Sequence, residues 1–243
     1  LTNQLNRKVQ FIGNPFMDKV LAVKSQILST YSCLGIFPGS RRPELDNNLD
    51  LIFQLLNILP SNKDFTEELI INIALVNSMT NQDLFKIASS RGWKISSESI
   101  EGRLVIKMEK QKVKVHIYRD YFIEILQASH LLLCMSGTAA EQAVGLGRPV
   151  LQLPGYGPQF TESFAEAQRR LLGPTVFCAK GKAGHLYNLR NTADLIFILI
   201  GRFKQEESFK SQCKEEAIIR LGEKGGGDRI ANHITSLLED LGT

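Results

Sequence analysis

Two short stretches of this chain carry the residue types that bind anions. Ser136-Gly137-Thr138 stands between an apolar run and a helical pattern. Small residues at a helix start leave backbone N–H groups free to point outward, and the helix dipole favours negative charge there. Phosphate groups commonly occupy such a turn. Pro38-Gly39-Ser40-Arg41-Arg42 follows a second apolar run. Gly39 permits a tight turn and a close backbone approach, Ser40 offers a hydroxyl, and Arg41 and Arg42 offer forked donors that match phosphate. Each stretch has a plain alternative: an N-cap without ligand for the first, a surface turn with solvated arginines for the second. Taken together they favour the two halves of a diphosphate clamp. Neither is a P-loop or a full G-x-G-x-x-G, so the kinase and dinucleotide motifs are missing.

Other candidates lie close by. Glu141 and Gln142 fall in the first turns of the helix that follows Thr138. A carboxylate there either accepts hydrogen bonds from a ribose diol or serves as a favourable first-turn charge. In the Gly- and Pro-rich segment 154–162, Gln159, Thr161 and Glu162 either face a sugar or belong to a connecting loop. His116, His130, His185 and His233 are scattered without ligand spacing, and there is no D-x-D pair. The expectation is therefore a site without metal or cofactor. Any leaving-group charge would fall to arginine, hydroxyls and the helix dipole.

These loops need elements to hold them. Residues 9–13 read as a short strand and 16–29 as a helix. Residues 31–37 read as a buried strand, closed by Pro38 and Gly39. Pro43 suits a helix first turn, and Leu45, Leu49, Ile52, Phe53, Leu56 and Leu59 keep a helical stripe as far as Pro60. The continuous apolar run 69–76 reads as a strand buried on both faces, as in a parallel sheet. A helix over 80–91 follows, then strands over 103–108 and 113–118. In the second of these, Val113, Val115 and Ile117 alternate with Lys114 and His116, which leaves one face wet. Further on, the pattern predicts helices over 121–128, 138–146 and 161–172 and strands over 131–134, 150–153 and 176–178. After about residue 188 it turns helical, with Asp228 as the N-cap of a last helix. Strand and helix alternate through most of the chain, which predicts an α/β sandwich with a mainly parallel sheet and right-handed crossovers. Ligands in such sheets sit beyond the carboxyl ends of the strands, where both anion-binding loops fall.

The bulk numbers bound the possibilities. With 243 residues, 43% of them hydrophobic, the chain fits one large domain or one domain with an appendage. The net charge of +4 reads as a small excess of solvated Lys and Arg. No basic stripe is interleaved with aromatics, so nucleic acid is not an expected partner. Cys33, Cys134, Cys178 and Cys213 form no C-x-x-C pair and read as reduced thiols of a cytosolic protein. No apolar run reaches the ~18–20 residues of a membrane span, and no signal peptide is read. The chain opens with Leu1 in what reads as mid-protein sequence, so a longer protein is expected.

Several motifs occur in one order: Phe11-Ile12-Gly13-Asn14-Pro15 with Asp18, LGIFPGSR over 34–41 with Glu44, and Ala128-Ser129 leading into Ser136-Gly137-Thr138-Ala139-Ala140. Segment 158–168, PQFTESFAEAQ, follows. In these residues nearly the whole chain resembles the C-terminal half of a GT-B glycosyltransferase, and within that fold lipid-A-disaccharide synthase and its related proteins. The resemblance implies a Rossmann-like three-layer sandwich plus C-terminal helices. Residues 1–30 would be the interdomain connection and first helix, 31–200 the nucleotide-sugar-binding domain and 201–243 the C-terminal helices. It implies a UDP-sugar donor, with the diphosphate at Gly39, Ser40, Arg41, Ser136, Gly137 and Thr138, and the base near Tyr118, Arg119 and Asp120. Arg41 would act catalytically by stabilising the departing UDP in a metal-independent, inverting displacement. The general base and the lipid or glycolipid acceptor would belong to an N-terminal domain absent from this chain. The setting implied is cytoplasmic, with peripheral association at the inner membrane face. In one place the chain departs from the synthase, which has an acidic residue seventh in its SGT motif: here Gln142 is seventh and Glu141 sixth. Two other readings share the same architecture, a UDP-N-acetylglucosamine 2-epimerase-like isomerase and a non-catalytic nucleotide-sugar-binding module.

Overall fold

The computed structural model describes residues 11–22, 33–59, 69–100, 103–110, 113–155 and 161–241. Among them lie eight strands: β1 (Cys33–Phe37), β2 (Ile70–Ala74), β3 (Lys94–Ile100), β4 (Arg103–Lys110), β5 (Val113–Tyr118), β6 (Leu131–Cys134), β7 (Val150–Gln152) and β8 (Val176–Cys178). After a 3₁₀ turn at Pro15–Met17, the helices are α1 (Asp18–Ala22), α2 (Glu44–Leu56), α3 (Asn81–Ser90), α4 (Phe122–Ala128), α5 (Gly137–Gly145), α6 (Glu162–Leu172), α7 (Leu186–Gln205), α8 (Glu207–Leu221) and α9 (Gly226–Leu241).

All eight strands join one sheet in the order β3-β4-β5-β2-β1-β6-β7-β8. Only the β3–β4 and β4–β5 pairs are antiparallel. The other six strands run parallel, and in chain order they read third, second, first, fourth, fifth, sixth. That is the doubly wound Rossmann order, with its switch point between the first and fourth parallel strands, β1 and β6. The expected α/β sandwich with a mainly parallel sheet is what forms.

The core divides by sheet face, as period-two strands require. Leu34, Ile36, Ile71, Ile73, Leu131 and Leu133 join one cluster with the apolar stripe of α2 and residues of α7 and α8. Phe37, Leu132, Cys134 and Val150 join another with Ile125 and Leu126 of α4 and Ala139, Ala140, Ala143 and Val144 of α5. Two helical layers thus cover one sheet. Truncating a fully buried leucine such as Leu133 to alanine should cost ~2–5 kcal/mol. The small residues of α5 allow it to lie close: at Gly145 an added Cβ would come within 2.5 Å of the Met17 side chain.

Several boundaries differ from expectation for physical reasons. The helix expected up to Pro60 ends at Leu56, where Asn57 caps it and donates its backbone N–H to Phe53 O (3.1 Å). No strand forms at 11–13, and residues 9–10 lie outside those described. The Asn14 N–H instead bonds Leu221 O at the end of α8 (2.9 Å), which ties this segment to a helix rather than to the sheet. The helix expected over 16–29 is described only as far as Ala22. Strand β3 was not expected. Its sequence, KISSESI, is serine-rich and reads as loop, yet seven residues pair with β4 from Lys94↔Glu109 to Ile100↔Arg103. Asp228 does not cap the last helix, since it lies inside the first turn of α9. The Asp18 carboxylate caps that helix from across the chain, accepting from the N–H groups of Gly225 (2.7 Å), Gly226 (3.1 Å) and Gly227 (2.9 Å). The boundary drawn near residue 200 falls within the 20-residue helix α7.

Candidate functional site

At the switch point the crossovers from β1 and β6 leave on opposite faces and open a crevice above the strand ends. Phe37 and Cys134 are register partners there, and the Met135 N–H bonds Phe37 O (2.9 Å), carrying the pairing one step further. The loops that begin at Pro38 and at Met135 therefore start side by side.

After β1, Gly39 takes φ +101, a region that residues with a Cβ rarely enter. The loop is held from below by Asn48 of α2, only 2% exposed, whose Nδ2 donates to Pro38 O (2.8 Å). Ser40 and Arg41 are thereby presented outward, and both are exposed. After β6, Ser136 occupies the N-cap position of α5 with extended backbone, but its side chain makes no capping hydrogen bond. Three other helices have side-chain caps, where Thr80 accepts from the Asp83 N–H, Thr161 from that of Phe164, and Asp18 serves α9; α2, α4, α7 and α8, like α5, have none. The first turn of α5 carries no acidic residue. Its N–H groups are left to whatever fills the crevice.

Two cavities meet at this rim. One of about 400 Å³ and one of about 410 Å³ share Gly39, Ser40, Ser136 and Thr138 as lining residues. The first has an aromatic wall of Phe37, Tyr118, Tyr121 and Phe122, with Asn77 and Asp120 at its edge. The Phe37 and Phe122 rings meet edge to face at 4.9 Å, and those of Tyr118 and Tyr121 lie 5.2 Å apart. Asp120 holds a positive φ of 63°, unusual for a residue with a side chain. The second cavity is polar and takes in Arg41, Glu44, Asn48, Gly137, Glu141 and Phe164.

The three arginines expected near the site part company. Arg42 is pinned by Asp46 (2.7 and 2.8 Å) and Asp83 (2.9 Å), which raise its pKa further. Arg119, placed at the base by resemblance, lies on neither cavity wall. Its guanidinium donates to Val76 O (2.8 Å), Met79 O (2.6 Å) and Asn81 Oδ1 (2.9 Å), so it braces the loop after β2. Arg41 faces the second cavity, and among the described residues its side chain has no partner.

The phase of α5 places Glu141 and Gln142 in different surroundings. Glu141 reaches the second cavity and is half-buried, and loss of solvation raises its carboxyl pKa. Gln142 is 8% exposed and turns inward, its Oε1 without a partner among the described residues. Gln159 lies outside the described residues. Among those described, no group of three or more His, Cys, Asp and Glu is placed to hold a metal ion. Sequence reasoning passed over Asn48, Tyr121, Phe122 and Phe164, and met Glu44 only as a motif letter. Asn48 left a signal, a polar residue on the apolar stripe of α2 beside Leu45, Leu49 and Ile52. Phe164 left none, because what it faces is set by how α6 packs.

No protein-family model matches the chain, and no curated protein matches it. Solved structures do. A protein assigned as a UDP-N-acetylglucosamine 2-epimerase from Listeria monocytogenes superposes with a TM-score of 0.56 at 18% identity, covering 94% of this chain and 53% of its own. S. aureus MnaA with UDP gives 0.56 at 16% identity, covering 98% and 56%. A UDP-GlcNAc 2-epimerase from Neisseria meningitidis bound to UDP-GlcNAc gives 0.50 at 16%, covering 98% and 58%. The chain thus spans just over half the length of these proteins. At such identities the likeness establishes the fold, Rossmann-like and of the GT-B kind. None of the three is a lipid-A-disaccharide synthase.

Proposed function

We propose that this chain is the nucleotide-sugar-binding half of a GT-B-type enzyme that acts on a UDP-sugar. The observation that carries the reading is the shared rim. An uncapped helix N-terminus, the Gly39 turn and an unpartnered Arg41 converge on one crevice at the switch point. The diphosphate would lie on that rim, accepting hydrogen bonds from the first N–H groups of α5, the hydroxyls of Ser40, Ser136 and Thr138, and Arg41. The uracil would enter the aromatic cavity against Tyr118 and Tyr121. The names of the solved neighbours, which mention UDP and UDP-GlcNAc, support the same ligand class.

Two reactions fit this donor site. In glycosyl transfer, Arg41 and the helix N-terminus would stabilise UDP as it leaves while a base on the companion domain activates the acceptor hydroxyl. The ordered motifs favour this reading, and the proposal of a lipid-type acceptor at a membrane face rests on their resemblance alone. Among the described residues no helix is long and apolar enough to cross a membrane. In isomerisation at sugar C2, the same groups would hold UDP while the sugar is remodelled. Two of the structural neighbours favour that reading by name.

Titration calorimetry of the full-length protein with UDP and UDP-N-acetylglucosamine tests the shared premise. Absence of heat at millimolar nucleotide, with Arg41→Ala indistinguishable from wild type, would sink it. Incubation with UDP-N-acetylglucosamine in deuterated water then separates the reactions. Deuterium at C2 identifies the isomerase; transfer of an unlabelled sugar to an added glycolipid identifies the transferase.

A further inference from the structure

We propose that the second cavity is the glycosyl subsite of this site, in which Glu44 and Glu141 accept hydrogen bonds from sugar hydroxyls and Phe164 lies against a C–H face of the ring. The proposal rests on the nucleotide-sugar reading and goes beyond it by assigning the two ends of the donor to the two cavities. It also moves Glu141 from the ribose to the transferred sugar.

The assignment follows from the shape and chemistry of the walls. The two cavities share only the rim residues Gly39, Ser40, Ser136 and Thr138, so a diphosphate on the rim can place one substituent in each. The first cavity is walled by four aromatic rings, which suits a flat base that stacks. The second has two carboxylates, an arginine and one aromatic ring, which suits a ring bearing many hydroxyls and one apolar face. About 410 Å³ is ample for a hexose beside the diphosphate.

The carboxylates lack another explanation. They come from different helices, Glu44 from the first turn of α2 and Glu141 from α5. Among the described residues neither forms an ion pair. A first-turn position accounts for an acid at Glu44. It does not account for Glu141, which loses solvation in the cavity and gains no partner within the fold. Half-buried, unpaired carboxylates in a cleft are a mark of groups that meet a ligand. Phe164 stands at the start of α6, where the Thr161 hydroxyl fixes the first turn by accepting from the Phe164 N–H (3.3 Å). The ring is thus offered from a capped helix end.

The test compares UDP with UDP-N-acetylglucosamine on the full-length protein, because the probes share the nucleotide and differ by the sugar and the terminal phosphate oxygen to which it is bonded. Glu141→Gln and Glu44→Gln remove an acceptor of charge while keeping shape. Each should lower the affinity for UDP-N-acetylglucosamine relative to that for UDP by about tenfold or more, the worth of one hydrogen bond to a charged group. UDP itself should bind somewhat more tightly, since a negative charge near the diphosphate is gone. Saturation-transfer NMR gives an independent reading: Phe164→Leu should weaken transfer to the sugar-ring protons and retain it at the uracil protons. If the two probes change in parallel in both glutamine variants, or if the leucine variant loses uracil transfer, the proposal is overturned. If wild type binds neither probe, the nucleotide-sugar reading fails and takes the proposal with it.

Discussion

Replacing Arg41 by alanine should cost nucleotide affinity and leave stability unchanged, whereas replacing the adjacent Arg42 should do the reverse. The two side chains differ only in their partners. Arg42 is committed to Asp46 and Asp83, bridging α2 to α3. Arg41 lines the polar cavity with no partner among the described residues. A charge-assisted hydrogen bond to phosphate contributes ~1.5–3 kcal/mol, so Arg41→Ala should weaken UDP binding about 10- to 150-fold. The exposed rim means the loss should shrink at high salt. Arg42→Ala should leave UDP affinity within a factor of about two, the span of ordinary surface substitutions. It should lower the melting temperature, because Asp46 and Asp83 then lose the cation they share. Calorimetric titration of both variants at two ionic strengths, with a thermal melt of each, makes the comparison. Equal loss of affinity in the two variants, or an Arg41→Ala affinity matching wild type, would refute the assignment of free and committed arginines.

Three other perturbations probe different parts of the structure. Gly35→Ala should destabilise the fold by ~1–3 kcal/mol in chemical denaturation, because the new Cβ would meet the Ser129 hydroxyl and stand 2.8 Å from Leu132 Cδ1 under α4. Asp18 has its pKa lowered, first of all by the hydrogen bonds from Gly227 and Gly225, so its hold on α9 is complete above the ordinary aspartate pKa and lost as pH falls through the depressed one. Hydrogen exchange of α9 amides should therefore rise in that acid window for wild type, and be raised already at neutral pH in Asp18→Asn. Glu141 has a raised pKa, so it ionises above the usual glutamate range, and affinity for a UDP-sugar of constant diphosphate charge should rise as pH rises through that point and the carboxylate becomes a charged acceptor for the sugar hydroxyls. Glu141→Gln should flatten this dependence, and an unchanged pH profile in the variant would exclude Glu141 as its source.

How legible the molecule was in sequence depended on the range of the interactions involved. Leu131–Cys134 could be read as a buried strand because burial on both faces demands an unbroken apolar run. The α2 stripe could be read because helical period is a local property. Strand β3 could not, since Ser96, Ser97 and Ser99 have no strand preference and pair only because β4 supplies the ladder. Arg119 looked like a ligand group because its acceptors, the carbonyls of Val76 and Met79, lie some forty positions earlier. The cap of α9 was misassigned to Asp228 for the same reason: the true cap, Asp18, is 207 residues distant from its Gly225 partner.

Residue type and spacing were enough to read the alternation of strand and helix and the side of the sheet on which Gly39 to Arg41 and Ser136 to Thr138 fall. Each of these follows from backbone freedom, period and dipole, which neighbouring residues control. Packing alone could establish which groups reach the crevice. Strand order brings the ends of β1 and β6 together, α5 turns Glu141 outward and Gln142 inward, and α6 delivers Phe164. Asp46 and Asp83 both lie within reach of Arg42, whereas Arg41 lines the cavity. Such choices depend on distances between residues far apart in the chain, and no local pattern encodes them.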